Sequence, residues 1–251
     1  MFKDKKIVIV MPTYNAAKTI LKTHEEVVAQ NIVDAVIIVD DASDDESVLI
    51  ARKLNSDKVK TILRVHDSNL GYGANQKTCY KLALDEGADI VIMVHSDYQY
   101  TPKLIPAMVG MISDGLYSCV LGSRILGGGA LKGGMPFWKY VINRWLTITE
   151  NCIINAYLSE YHTGYRAFSR ELLENISLEH NSNGFIFDNE MLLQVLWKGY
   201  KIGEISCPTN YHPEASVVNL RNSIKYGFGC FRVALTYALA KAKLIKSKLF
   251  V

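Results

Sequence analysis

The chain has 251 residues, enough to bury a substantial core as one large domain or two small ones. Hydrophobic residues make up 49% and charged residues 21%, as in ordinary globular proteins, and a net charge of +3 gives no electrostatic case for nucleic acid as a partner. The five cysteines are dispersed with no CxxC pair, which argues against a disulfide frame or a cysteine zinc site and for buried thiols in a reducing compartment.

The first apolar run, IVIVM before Pro12, is too short for the core of a signal peptide and reads as a buried strand over 6–10. Further β-branched runs predict strands at 36–40, 60–65, 89–94 and 117–121. Helical patterns fall between them near 17–30, 45–55, 74–86 and 102–113, and Gly87 is placed to end the third helix. That alternation is the pattern of βαβ units and a largely parallel sheet. After Gly122 the rhythm changes. Residues 123–136 hold five glycines and read as a mobile loop. An aromatic-rich helix is expected over 137–158, then TGYRAFSRELL (163–173), a helix over 189–198, a strand over 201–207 and a last helix from about 220. No repeat, low-complexity tract or Pro/Ser linker interrupts the chain, so one domain over 1–215 with a C-terminal helix and basic tail over 216–251 is expected. No window reaches the roughly 18 uncharged apolar residues of a membrane-spanning helix; the nearest, 226–240, contains Arg232. The final lysines, Lys241, Lys243, Lys246 and Lys248, follow an apolar stretch, a pattern suited to an anionic membrane surface as well as to a solvated helix end.

Three strand ends carry polar and aromatic side chains: PTYN (12–15), DDAS (40–43) and HSDYQY (95–100). In an open α/β sheet the C-terminal edge of the strands is where ligands bind. Tyr14 is placed to flank a base, and Asp40 or Asp41 to accept from a base N–H or a ribose hydroxyl. The plainer reading has Pro12 and Asn15 breaking the strand and capping the next helix, with Ser43 and Glu46 as a capping box. NLGYGANQ (69–76) has G-x-G without the third glycine, which weakens a dinucleotide reading but leaves a tight loop whose helix N-terminus faces phosphate.

The ordered set PTYN, VDDAS, NLGYGAN, HSDYQY, GSR (122–124), TGYRAF (163–168) and FDNEM…GYKIGEI (187–205) resembles the family 2 glycosyltransferases, in particular the dolichol- or polyprenol-phosphate sugar synthases. The resemblance spans roughly residues 6–215. It implies an α/β GT-A fold with a mixed, mostly parallel sheet, a nucleotide-diphosphate sugar donor (UDP- or GDP-linked), a divalent cation (Mn²⁺ or Mg²⁺), and inversion at the anomeric carbon. On the same basis Pro12, Tyr14, Asn15, Asp40, Asp41 and Asp97 would hold the nucleotide sugar. Asp97 matches the last acid of the metal-binding Asp-x-Asp, whose first acid is here His95. Arg124, Thr163, Gly164 and Arg166 would serve the acceptor and its phosphate, and Glu190 matches the glutamate near the reacting sugar. The sequence departs from the pattern at three places: His95 itself, the acid before TGYR (leaving Glu160 and His162 nearby), and a late phosphate segment in which only His212 and Arg221 are basic.

A polyprenyl phosphate acceptor is already largely anionic at neutral pH, with a second pKa of about 6, so no strong general base is required. A sugar hydroxyl acceptor would instead need a carboxylate base, Asp188 or Glu190. On a helix these lie about 200° apart, so they should not both face one substrate; Glu190 is favoured and Asp188 is read as a cap. The expected protein is a hexosyltransferase, cytoplasmic and peripheral at the cytoplasmic face of a membrane, with a homo-oligomer left open. A hydroxyl-directed glycosyltransferase of surface polysaccharide synthesis and a non-catalytic nucleotide-sugar binder are the rival readings.

Overall fold

The computed structural model describes residues 2–54, 58–211 and 220–251, with side chains for all of these but 220 and 221. Seven strands form one sheet: β1 (Ile7–Thr13), β2 (Ala35–Asp40), β3 (Lys60–Val65), β4 (Ile90–Met93), β5 (Cys119–Ser123), β6 (Arg166–Ser169) and β7 (Ile202–Ser206), in the order β3-β2-β1-β4-β6-β5-β7. Every pairing is parallel except those of β6, which runs antiparallel to both β4 and β5. The sheet is mixed and mostly parallel, as expected.

The central strands are apolar on both faces because both faces are covered. Side chains alternate across a strand, so Val8, Val10, Ile37 and Val39 enter one core while Ile7, Ile9, Val36 and Ile38 enter the other. The first core is closed by α3 (Tyr72–Asp85), α6 (Arg170–Asn175), α7 (Phe187–Trp197) and α8 (Leu220–Lys241). The second is closed by α1 (Ile20–Val28), α2 (Ser47–Ala51) and α4 (Ile105–Ser113). Each fully buried branched side chain contributes about 1.5–3 kcal/mol. The outer strand β3 has no fully buried residue.

Most sequence-predicted elements are present, with shorter first and second helices. α3 stops where Gly87 adopts φ +80°. The aromatic-rich helix, α5 (Phe137–Ile154), ends at Asn155, which takes the left-handed conformation. Four expectations need correction. The capping box does not form: Ser43 donates from both its backbone N and its Oγ to Asp40, Glu46 makes no capping bond, and it is Asp45 Oδ1 that accepts from Ser47 N at the start of α2. Asn15 does not cap α1; its Oδ1 accepts from Asp44 N and it holds φ +49°. TGYRAFSRELL contains the strand β6, which the sequence reading left unassigned. The glycine-rich segment is docked rather than free: Ala130 and Met135 are buried, Tyr211 N donates to Gly133 O, and a Cβ at Gly133 would collide with Thr209. α8 packs on α5 and α7, and Phe250 returns into the core against Trp197.

Candidate active site

The C-terminal edge of the sheet opens into a cleft of about 710 Å³. One wall comes from strand ends and the α3 start: Pro12, Thr13, Tyr14, Asp41, Asn75, His95 and Asp97. The opposite wall comes from α5 and α8, with Trp138, Lys139, Ile142, Leu146 and Tyr226. Asp188, on the first turn of α7, also lines it.

The two acids after β2 have distinct partners. Asp40 is fully buried, and its carboxylate accepts from the backbone N and the Oγ of Ser43. Asp41 lines the cleft, and its carboxylate accepts from Leu70 N, Gly71 N and the His66 ring. The turn N-L-G-Y-G therefore grips Asp41. Its glycines serve a close approach: Gly71 sits at φ +96°, and a Cβ at Gly73 would strike Ser182 O and the Phe187 side chain. The N–H groups of Gly73 and Ala74 both donate to Asn183 O, so the α3 N-terminus is occupied by protein and not aimed at a phosphate.

After β4, Ser96 ties the strand end to β1 and α1: its Oγ bonds Thr13 Oγ1, and its carbonyl accepts from Thr19 and Thr23. This fixes His95 and Asp97 on the cleft side. Asp97 is 7% exposed and its Oδ1 accepts from Gln99 N. His95 Nε2 bonds the Tyr72 hydroxyl at 3.0 Å, and Tyr72 donates to Asp188 Oδ2 at 2.7 Å. Burial, then the neighbouring Asp188 charge, raises the Tyr72 hydroxyl far above its ordinary pKa, so it keeps its proton. Among the described residues no group of three His, Cys, Asp or Glu side chains converges on one point. Asp97 and His95 thus offer one oxygen and one nitrogen donor, a set that suits a divalent ion completed by diphosphate oxygens and water.

The predicted acceptor residues separate. Arg124 lines the cleft but is bound by protein: its backbone N, Nε and Nη2 donate to Glu160, Nη1 donates to Tyr211 Oη, and Nη2 also donates to His162 O. Burial opposes ionisation of Glu160, but the Arg124 charge against it holds the carboxyl below its usual range. Thr163 donates to Gly122 O. Arg166, fully buried, donates to the carbonyls of Thr163, Asp188 and Tyr161 and so staples β6 to the start of α7. Neither Thr163 nor Arg166 lines the cleft, whereas Gly164 does. Gly164 is required there, because a Cβ would lie 2.5 Å from the His95 ring. Glu190 accepts from Ser182 N and does not line the cleft; the helix brings Asp188 there instead. His212 and the Arg221 side chain lie outside the described residues.

Lys139 was not singled out by sequence. It sits on the first turn of α5 with its ammonium 5.4 Å from the Tyr211 ring centroid, and has no ion-pair partner among the described residues. Burial, then the Arg124 charge, lowers it to about 8 against the opposing pull of Glu160 and Asp97. The signal for it was a lysine inside an otherwise apolar helix start, F-W-K-Y. Behind the α5 wall lies a buried polar group: Glu150 Oε2 stands 3.5 Å from His162 Nε2, and Asn189 donates to Glu150 Oε1. Burial raises Glu150 to about 7 and lowers His162 to about 3.

A mixed seven-stranded sheet whose strand ends hold acids against a cleft, with one inserted antiparallel strand, is the GT-A architecture of nucleotide-sugar glycosyltransferases. The chain belongs to Glycosyl transferase family 2, whose pattern matches residues 8–177. It is 29% identical over 250 residues to a UDP-N-acetylglucosamine–dolichyl-phosphate N-acetylglucosaminyltransferase of Methanococcus voltae, covering 95% of this chain and 98% of that one. It is also 29% identical over 219 residues to a low-salt glycan biosynthesis hexosyltransferase of Haloferax volcanii, covering 85% of this chain and 49% of that one. Mannosyl-3-phosphoglycerate synthase from Rubrobacter xylanophilus shares the fold with a TM-score of 0.72 at 16% identity, over 97% of this chain and 77% of that one. So does glucosyl-3-phosphoglycerate synthase from Mycobacterium tuberculosis, solved with Mn²⁺, UDP and glucosyl-3-phosphoglycerate, with a TM-score of 0.65 at 17% identity over 98% of this chain and 82% of that one. The protein is a glycosyltransferase.

Proposed function

We propose that this enzyme transfers a hexose, with inversion, from a nucleotide-diphosphate sugar to a polyprenyl phosphate. The observation that carries the reading is the asymmetry of the cleft. One wall is polar and aromatic, with Tyr14, Asp41, Asn75 and Asp97. The other, built on α5 and α8, sets apolar side chains (Trp138, Ile142 and Leu146) among neutral polar ones (Asn143, Asn222, Ser223 and Tyr226), and Lys139 is the one lysine or arginine there, among the described residues, that no carboxylate neutralises. An acceptor that is a phosphate on a hydrocarbon chain matches the second wall, and the M. voltae relative, aligned over nearly its whole length, is named for such an acceptor.

In this reading Tyr14 flanks the base and Asp41 holds the nucleoside side of the donor. Asp97 and His95 would hold a divalent cation, which when bound stabilises the charge growing on the departing nucleotide diphosphate. Lys139 orients the acceptor phosphate, whose oxygen is already an anionic nucleophile, so the chain needs no residue to remove a proton from it. Arg124, neutralised by Glu160, shapes that wall and keeps one Nη1 proton for the acceptor side.

The reaction would take place at the surface of an anionic bilayer. No helix among the described residues is long and apolar enough to cross a membrane. However, the adjacent helices α5 and α8 each leave an apolar stripe exposed, Val141, Trp145 and Ile148 on one and Phe228, Phe231 and Leu235 on the other. Glu150, the only acid of α5, is buried, and α8 contains none, so the exposed charges here are cations of α8 such as Lys225 and Arg232, with Lys139 and Arg144 of α5 half-buried. Apolar stripes flanked by cations suit an interfacial position. Trp138 belongs both to α5 and to the cleft wall, which joins the site to this surface.

The test is a transfer assay with radiolabelled UDP- and GDP-sugars, a short polyprenyl phosphate or a free sugar as acceptor, and Mn²⁺, Mg²⁺ or chelator. A labelled polyprenyl-phosphate sugar of inverted anomeric configuration is expected. Transfer to the free sugar but not to the lipid would establish the hydroxyl-directed alternative.

A further inference from the structure

His95 stands where the family pattern has a carboxylate, and an imidazole offers a lone pair only at the ring nitrogen that carries no proton. Which nitrogen that is follows from the hydrogen bonds around it. A carboxylate only accepts, and a tyrosine has a single proton. Tyr72 gives that proton to Asp188 Oδ2 at 2.7 Å, so its oxygen must accept from His95 Nε2 at 3.0 Å. His95 Nδ1 has no hydrogen-bond partner among the described residues, and the ring lines the cleft. The ring is also clamped. Tyr72 and Tyr100 pack edge-on against it at 5.8 and 5.7 Å between centroids, and Gly164 lies against it where any side chain would collide.

The far end of the chain is equally directed. Asp188 Oδ1 accepts from Gln76 Nε2 at 3.0 Å, and Gln76 is held that way round because its Oε1 accepts from Tyr80 at 3.1 Å. Donors thus converge on Asp188 from both sides.

We infer that Tyr72 and Asp188 are positioning residues that lock His95 as the Nε2–H tautomer and so keep its Nδ1 lone pair available to a divalent cation in the cleft. This rests on the reading of the cleft as a metal-assisted nucleotide-sugar site, and it accounts for how a histidine serves in place of an acid there: a second carboxylate, from α7, sets the proton's position through Tyr72. Partners that orient a ligating histidine typically matter by about 10- to 100-fold in metal affinity.

The substitution Asp188→Asn should reverse the chain. With Gln76 held by Tyr80, the oxygen of the new amide turns to Gln76 and its NH₂ turns to Tyr72. Tyr72 then accepts from the amide and donates to His95, which becomes the Nδ1–H tautomer. Tyr72→Phe removes the direction altogether. In metal-free protein, ¹⁵N correlation spectra of the histidine rings should show Nε2–H for His95 in the wild type, Nδ1–H in Asp188→Asn and a mixture in Tyr72→Phe. Mn²⁺ titration with UDP, followed by electron paramagnetic resonance, should show about 10- to 100-fold weaker binding in Asp188→Asn and a smaller loss in Tyr72→Phe, where part of the population keeps the ligating tautomer, with thermal melts reporting that each is folded. An Nδ1–H wild type, or a tautomer unmoved by either substitution, would overturn the relay. Unchanged Mn²⁺ affinity despite a changed tautomer would overturn its link to the cation. The spectra need neither donor nor acceptor, so failure of the proposed activity would leave the tautomer result standing.

Discussion

Replacing Lys139 tests the acceptor wall through the lowered pKa of its ammonium. Burial and the Arg124 charge bring its ammonium to about 8. About nine-tenths of it is therefore charged at pH 7 and about one-tenth at pH 9. A polyprenyl phosphate, with a second pKa of about 6, is already about nine-tenths ionised at pH 7 and adds only about a 10% rise of its own by pH 9. Acceptor kcat/KM reports the free enzyme, so it should fall about tenfold between pH 7 and pH 9. Lys139→Arg, whose guanidinium stays charged, should flatten that fall. Lys139→Met should lose a charge-assisted hydrogen bond worth about 1.5–3 kcal/mol, or roughly 10- to 150-fold in acceptor kcat/KM at pH 7, with donor KM little changed. The assay is transfer to a short polyprenyl phosphate at saturating donor over the pH range. Superimposable profiles for the wild type and Lys139→Arg, or a Met variant within twofold of wild type, would refute the assignment of Lys139 to the acceptor phosphate.

Glu150 gives a stability prediction. Burial raises its carboxyl to about 7 from an unfolded value near 4.3, so the folded state binds the proton more tightly. The Glu150 contribution is fully present below the unfolded pKa and is lost as pH rises towards 7, by on the order of 3 kcal/mol, while the depressed His162 opposes it by gaining stability over the same window; in urea unfolding at pH 5 and pH 8, Glu150→Gln should therefore gain more stability, or lose less, than the wild type on going to pH 8, and an equal change in both proteins would count against it. On the α5–α8 surface, the pair Trp145→Glu and Phe228→Glu should abolish flotation with phosphatidylglycerol vesicles while leaving the melting curve intact, because both side chains are largely exposed (62% and 74%). Wild-type binding should itself weaken in high salt; flotation of the double variant equal to wild type would place the membrane contact elsewhere.

The fold was largely legible because its core strands are apolar on both faces, a pattern that only a sheet covered on two sides satisfies. The runs at β1, β2 and β4 are continuous where an antiparallel, half-solvated sheet would alternate. β6 escaped because it is four residues long and begins with Arg166, a side chain expected in water. Its burial is tolerated because the carbonyls of Tyr161 and Thr163, just upstream, and of Asp188, at the start of α7, meet its guanidinium, and no hydropathy pattern reveals that convergence. The capping box failed for a related reason: Asp40, brought beside Ser43 by the turn, competes successfully for the serine's donors.

At the site, sequence alone placed Tyr14, Asp41, His95 and Asp97 on one edge, since the C-terminal end of a parallel strand is a position that the strand register determines. What each charged side chain does there depends on partners far along the chain, and that was decided by the tertiary structure. Arg124 reads as a free phosphate ligand until Glu160, 36 residues on, folds against it and compensates its charge. Glu190 and Asp188 are equivalent on paper, but the rotation of α7 turns the second towards Tyr72 and the cleft and the first towards Ser182. Lys139 gains its role by subtraction, as a cation on a wall where the neighbouring arginine is already neutralised. Local sequence determined which chemistry reached the edge of the sheet; long-range charge compensation determined which of those groups remained available to a substrate.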